Sequence, residues 1–242
     1  MHRCLQEGRQ ASVNTSERVV ELLTRIRDAR VVWEVMGPMY NRRIHESIAG
    51  LIDRVDAEIQ LPLGARLLDA GCGPGHAALQ LAGNNPDATV VGIDYSSSQV
   101  RAAKRLQRER GITNCVFERA NVMKIRWTEG SFDAAVSIGS EKHWPDAIRG
   151  LSEIHRVLKT DGVLLVSDTD QGASDDDIRL FMTRFRVWFV PDGVFFWGLR
   201  NVVFGRSFTR ASLADAVRRA GFRDIETSRA LDCPYVIVKA RK

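Results

Sequence analysis

Short apolar runs alternate with amphipathic segments along the middle of the chain. The runs lie at 66–70, 88–95, 115–119 and 132–138. Runs of this length, rich in valine, isoleucine and leucine, are typical of strands buried in a parallel sheet. The alternation of strand and helix continues from Arg66 to Asp168 and predicts a sheet with helices on both faces.

Amphipathic helices are also predicted before the sheet. Apolar residues recur at helical spacing from Glu17 to Arg27, behind a Ser16 cap, and again from Ile44 to Ile59. Residues 1–15 are polar and unpatterned, so we expect a mobile tail there. We expect 16–242 to form a single domain, with 16–60 as an N-terminal helical cap.

A glycine-rich loop follows the first predicted strand. Asp69 ends the strand, and Gly71, Gly73 and Gly75 occupy alternate positions after it. Glycines let the backbone turn sharply and lie against a ligand, and the helix that follows directs its unpaired N–H groups at that ligand. A dinucleotide loop would have its third glycine at position 76, where this chain has His76. A pyrophosphate ligand is therefore disfavoured.

Polar residues also follow the next two strands. Asp94 ends the second strand, where a carboxylate can accept hydrogen bonds from both hydroxyls of a ribose. Because NAD-binding proteins use an acid at a similar distance, Asp94 alone does not discriminate. Asn121 follows the third strand, and its amide oxygen can accept a hydrogen bond without carrying charge.

Together these motifs resemble the class I S-adenosylmethionine-dependent methyltransferases of the small-molecule type. The resemblance covers roughly residues 64 to 170, including the loop Lys142-His143-Trp144-Pro145-Asp146 after strand four, with a weaker match near Ala220-Gly221-Phe222. It implies S-adenosyl-L-methionine as the cofactor. It also implies a set of cofactor-binding residues: Asp69, Gly71, Gly73, Gly75, Asp94, Tyr95, Asn121, Val122, Ser137 and, between the N-terminal helices, Tyr40.

The fold implied is α/β and doubly wound. We expect a mostly parallel seven-stranded sheet with an antiparallel C-terminal strand, N-terminal helices and an aromatic-rich insertion after strand five. The insertion, 171–210, holds many aromatic residues, and small-molecule enzymes of this family place a substrate lid there. We expect about half of its rings to face an apolar cavity. Asp175, Asp176 and Asp177 suit the positive end of a helix better than a metal site.

A base is useful for methyl transfer to a hydroxyl group. His143 lies after strand four, and imidazole titrates near neutrality, so His143 is the candidate base. A second possible role is to order the loop against Trp144. Glu141, on the same loop, is a candidate to orient the imidazole or the acceptor. No metal is expected, because the acids that a magnesium site would need are not grouped after strand four.

Composition limits the remaining classes. The net charge of +5 reflects basic residues spread along helices such as Arg101–Arg110, which favours a solvated helix face over a nucleic-acid site. The chain lacks an apolar run of about 20 residues and an apolar signal core, so no membrane partner and a cytoplasmic location are expected.

The four cysteines show no paired spacing, which argues against a disulfide framework and a zinc site. A homodimer is left open.

The sequence therefore predicts a methyltransferase acting on a small aromatic or apolar acceptor, with O-methylation favoured. Methylation of carbon or nitrogen stays open. An NAD(P)-dependent oxidoreductase is a competing function, which the residue at position 76 disfavours, and a non-catalytic S-adenosylmethionine-binding protein is another. The pattern leaves the acceptor, its methylated atom and the pathway undetermined.

Overall fold

The computed structural model describes residues 15–28, 48–184, 190–230 and 233–242. Within these ranges, seven strands form one sheet. They are β1 (Arg66–Ala70), β2 (Thr89–Asp94), β3 (Cys115–Arg119), β4 (Phe132–Ile138), β5 (Leu158–Thr169), β6 (Arg223–Arg229) and β7 (Tyr235–Arg241).

The strand order is β3-β2-β1-β4-β5-β7-β6. β1 to β5 pair in parallel, and β7 pairs antiparallel with both β5 and β6. The order reverses between β1 and β4, and ligands of doubly wound sheets bind outside the carboxyl ends of the strands at that point. This topology confirms the predicted fold class, including the antiparallel C-terminal strand.

The described helices cover both faces of the sheet. They are α1 (Thr15–Asp28), α2 (48–58), α3 (His76–Asn84), α4 (Ser97–Arg110), α5 (Ala147–Val157), α6 (Asp175–Arg184), α7 (Asp192–Gly198) and α8 (Arg210–Arg219). Three-residue 3₁₀ turns follow β3 and β4, at Val122–Lys124 and Glu141–His143. A π-helix spans Leu199–Phe204.

Two apolar cores lie on opposite sides of the sheet. One joins α2, α3 and α4 to the sheet, with Leu51, Leu81 and Phe117 buried in it. The other joins α5 and α8 to the opposite face, with Leu151 and Leu213 fully buried. The central strands β1, β2 and β4 are covered on both faces, so most of their side chains are apolar and buried, which explains why these strands were evident in the sequence. The edge strand β3 leaves Val116 exposed.

The segment after β5 forms α6, α7 and the π-helix. Phe181 and Phe204 are buried and pack edge to face, with ring centroids 6.0 Å apart. Asp177 and Ser174 exchange hydrogen bonds at the start of α6, where acidic residues complement the helix dipole. Residues 1–14 of the expected tail, the start of the second helix and Tyr40 lie outside the described residues.

Candidate functional site

The glycine loop connects β1 to α3 and lies at the carboxyl end of the sheet. The N–H groups of Gly71 and Cys72 both donate to the carbonyl oxygen of Ile93, at 2.8 and 2.9 Å. Gly73 and Gly75 have φ values of +52° and +82°. A Cβ on Gly75 would lie 2.6 Å from Cζ of Phe117, whereas a Cβ on Gly73 would meet nothing within 4 Å. Gly73 therefore borders open space that a ligand can fill.

Two backbone N–H groups bind the Asp94 carboxylate, one from the glycine loop and one from the segment after β2. One carboxylate oxygen accepts the Gly73 N–H at 2.9 Å, and the other accepts the Ser96 N–H at 2.8 Å. Because each carboxylate oxygen has further lone pairs, these bonds leave Asp94 able to accept from a ligand. Asp94 thus joins the glycine loop to the end of β2.

Asp69 is buried, and its Oδ2 atom has no hydrogen-bond partner among the described residues. Burial, reinforced by the nearby charge of Asp94, raises the pKa of Asp69 to about 7. The side chain lines a small cavity of about 100 Å³ together with Gly71, Gly73 and His76. A cationic group placed there would supply the missing partner of this carboxyl.

Asn121 and Tyr95 lie at the exposed rim of the site. The Asn121 side-chain oxygen accepts the Met123 N–H at 3.0 Å and caps the 3₁₀ turn that begins at Val122. Tyr95 is half exposed, with the Arg119 guanidinium 5.8 Å from its ring centroid. A second lone pair on the Asn121 oxygen remains for a ligand amino group.

The turn after β4 carries the candidate base. Ser137 is buried, and its hydroxyl donates to the Ala70 carbonyl at 2.6 Å. Glu141 is also buried, with no hydrogen-bond partner for either carboxyl oxygen among the described residues. Burial and the neighbouring Asp168 raise the pKa of Glu141 well above its usual range.

A cavity of about 450 Å³ joins these elements. Seven of the predicted site residues line it: Gly71, Gly73, Asp94, Tyr95, Asn121, Val122 and His143. Asp69 lines the smaller cavity instead, and Gly75, Ser137 and Glu141 line neither of the two. No described residue of 171–210 lines the large cavity, contrary to the expectation for the aromatic rings of that segment.

Several residues that line the cavity were not predicted from the sequence. Gln99, Met123, Lys142 and Tyr235 all face the cavity. Tyr235 begins β7 and pairs in register with Thr169 of β5, which brings a residue from the end of the chain to the site. Only this long-range strand pairing places Tyr235 there, so no local pattern could have indicated it.

Metal-binding clusters and membrane-spanning helices are absent from the described part of the chain. Its residues include no group of three or more histidine, cysteine, aspartate or glutamate side chains placed to bind a metal ion. None of the helices within these ranges has both the length and the apolar character needed to cross a membrane.

Comparison with known families identifies the family to which the chain belongs. Residues 63–188, which are more than half of the chain, match the family model described as "Methyltransferase domain". The chain belongs to the methyltransferase-domain family. The predicted family is thereby confirmed, and S-adenosylmethionine is the cofactor that this family uses. The open space beside Gly73 and the unpaired oxygen of Asp69 fit such a ligand, which combines a nucleoside with a cationic amino acid end.

Among the relatives of this methyltransferase-domain chain is 27-O-demethylrifamycin SV methyltransferase of Amycolatopsis mediterranei (strain S699). It is 36% identical over 126 residues, which are 52% of this chain and 46% of the relative. Demethylmenaquinone methyltransferase of Geobacillus kaustophilus (strain HTA426) is 28% identical over 67% of this chain and 73% of its own length. The chain spans about half the length, or less, of several of these relatives.

The solved structures support the fold. The crystal structure of the [4+2]-cyclase SpnF has a TM-score of 0.61 and 25% identity, with 79% of each chain covered. A SAM-dependent methyltransferase from Aquifex aeolicus has a TM-score of 0.64 and 18% identity, with 81% of this chain and 92% of that chain covered.

Proposed function

We propose that this chain binds S-adenosylmethionine in the large cavity and transfers its methyl group to a hydroxyl oxygen of a small aromatic or apolar acceptor. The observation that supports this most is the cavity itself, which is lined by Asp94, Asn121 and His143 together. Apolar residues such as Ile48, Met123 and Trp144 supply walls for an acceptor without charge.

The cofactor-binding residues have separate tasks in this proposal. Asp94 accepts hydrogen bonds from the ribose hydroxyls, and Asn121 accepts from the adenine amino group. Asp69 stabilises the cationic amino acid end from the smaller cavity. When bound, the cofactor supplies an electrophilic methyl group on a sulfonium. The neutral pocket wall and the fixed Asp94 carboxylate then place the acceptor and cofactor for an in-line displacement.

His143 acts as the base. As the acceptor oxygen forms its bond to the methyl carbon, the carbon–sulfur bond breaks and the hydroxyl proton passes to the His143 imidazole. Glu141 is a buried residue of the same turn, so we assign it the role of orienting His143 or the acceptor rather than that of removing the proton itself.

Methylation of carbon is the second candidate, because the relatives include methyltransferases of both kinds. They include O-methyltransferase cnsE of Penicillium expansum, at 30% identity, and the cycloartenol-C-24-methyltransferase of Arabidopsis thaliana, at 35%. The same cavity and cofactor residues serve both reactions, because positioning alone suffices for a reactive carbon acceptor.

The test is a screen of phenols, enols and apolar acceptors with S-adenosylmethionine labelled with ¹³C in its methyl group. Formation of S-adenosylhomocysteine reports turnover, and the carbon spectrum of the product identifies the methylated atom. We expect a product methylated on oxygen, with turnover reduced at least about 100-fold in His143→Gln and cofactor binding retained. A carbon-methylated product, or full turnover by His143→Gln, would contradict the O-methylation proposal.

A further inference from the structure

A buried ion pair lies behind the turn that carries His143. The Lys142 ammonium pairs with Oδ1 of Asp168, and the two side chains are 5% and 0% exposed. The other carboxylate oxygen of Asp168 accepts the backbone N–H of Lys142 at 3.0 Å. Asp168 therefore binds both the main chain and the side chain of the residue that precedes His143.

This pair is anchored in the sheet. Asp168 lies in β5 and pairs in register with Val236 of β7, and its Oδ1 also accepts the Thr169 N–H at 2.7 Å. The Lys142 ammonium donates to the Gly139 carbonyl at 3.0 Å. Since the 3₁₀ turn Glu141–His143 is only three residues long, fixing Lys142 at both its ends fixes the position of His143.

Stability alone does not account for these charges. The cost of removing two charges from water commonly exceeds their mutual attraction, and an apolar pair of similar volume is often at least as stable. Here a second buried carboxyl, Glu141, lies close enough to interact with Asp168. We therefore explain this costly arrangement by its effect on the turn: it holds the turn in position and places charge beside His143.

Several charged or titratable groups flank His143. Glu141 and Lys142 are on its own turn, Asp168 is in β5, Asp146 precedes α5, and Tyr235 of β7 lines the same cavity. Burial would raise the pKa of Asp168, but the charge and hydrogen bonds of Lys142 lower it, with a smaller contribution from His143. The Asp168 carboxylate and a protonated His143 therefore attract each other, while the Lys142 ammonium repels that imidazolium.

We propose that Asp168 is a positioning residue for methyl transfer: it holds the turn that carries His143 and supplies the negative charge that offsets Lys142 when His143 accepts a proton. This inference rests on the proposed role of His143 as the base.

The test follows the His143 imidazole by NMR in isotopically labelled protein saturated with S-adenosylhomocysteine. The signal that is missing from His143→Gln identifies it among the five histidines. In Asp168→Asn the Lys142 ammonium is no longer offset, so the titration midpoint of His143 falls by about one pH unit. In the double variant Lys142→Met with Asp168→Asn, both charges are gone and the midpoint returns toward the native value.

The matched control is Asp170→Asn, because Asp170 is also buried but pairs with Arg229, at 3.1 Å. We expect the His143 midpoint to be unchanged in this variant. An unchanged midpoint in Asp168→Asn would overturn the inference. A fall of equal size in the double variant would also overturn it, because the cause would then be structural damage rather than charge.

Turnover with an acceptor from the screen completes the test. In Asp168→Asn we expect kcat to fall roughly tenfold, because a shift of one pH unit in the His143 midpoint corresponds to a tenfold change in proton affinity. The KM for S-adenosylmethionine should be unchanged. The double variant loses the contacts that hold the turn, so its kcat also falls. If Asp168→Asn alone does not fold, the double variant provides the test. A native kcat in the double variant would refute the positioning role.

The two proposals fail in different ways. Full turnover by His143→Gln would show that His143 is not the base, and the proposed role of Asp168 would fail with it. An inactive His143→Gln combined with an unmoved midpoint in Asp168→Asn would overturn the inference about Asp168 alone.

Discussion

Asp69 shows how one buried side chain can make cofactor binding depend on pH. Its carboxyl has a pKa of about 7 because burial and the nearby Asp94 both disfavour the ionised form. In the proposed binding mode, the ammonium group at the amino acid end of the cofactor would favour that ionised form. Binding must therefore remove a proton below pH 7 and needs none well above it.

We expect the affinity for S-adenosylhomocysteine to rise about tenfold from pH 6 to pH 8, because the ionised fraction of Asp69 rises by that factor around a pKa near 7. Calorimetric titration at the two pH values measures the change. In Asp69→Asn the affinity should be weaker and nearly independent of pH in this range. A variant that kept the native pH slope would show that another group is responsible.

For single residues, the sequence predicted candidate positions more readily than the contacts of their side chains. Asp94 and Asn121 could be predicted as site residues because they lie at the ends of apolar runs, at one edge of a parallel sheet, and both line the large cavity. The local use of their atoms, such as the Asn121 oxygen that caps a 3₁₀ turn, was not predictable. The pairing of Lys142 with Asp168 was not predicted, because it joins residues 26 positions apart in the chain.

The glycine loop illustrates that glycines in one element serve different purposes. Gly75 has positive φ and packs against Phe117, so its missing side chain is a requirement of the fold. Gly73 also has positive φ but faces open space beside Asp94. The spacing of the glycines predicted a cofactor loop, while the packing separates the glycine that the fold requires from the one that borders open space.

The two alanine variants should therefore separate stability from binding. In Gly75→Ala, the strain of a positive φ adds to a collision with Phe117, so we expect a loss of about 2–5 kcal/mol in the free energy of unfolding. In Gly73→Ala, only the strain of about 1–2 kcal/mol applies, but the new methyl group occupies the space beside Asp94. Affinity for S-adenosylhomocysteine should then fall about tenfold or more.

Denaturant unfolding and calorimetry measure these two quantities on the same protein samples. Equal destabilisation by both substitutions, or native affinity in Gly73→Ala, would contradict the placement of the cofactor against Gly73.

At the scale of the whole molecule, the fold was predictable because the parallel strands are built around short apolar runs that alternate with helical segments. The antiparallel C-terminal strand was also predicted, and β7 pairs antiparallel with both β5 and β6. The acceptor side of the cavity was less predictable, because it collects residues that are far apart in the chain, such as Ile48 and Tyr235. Neither residue could be placed at the cavity from the local periodicity of the sequence.

The central claim is that Asp94 and the glycine loop form the S-adenosylmethionine site. Calorimetric titration with S-adenosylhomocysteine tests it most directly, with Asp94→Ala as the variant and NADH as the control ligand. We predict micromolar binding that weakens by about 1.5–3 kcal/mol in Asp94→Ala, the loss expected for hydrogen bonds to a charged group, and no binding of NADH. Absence of binding to the native chain, or preferential binding of NADH, would contradict this account.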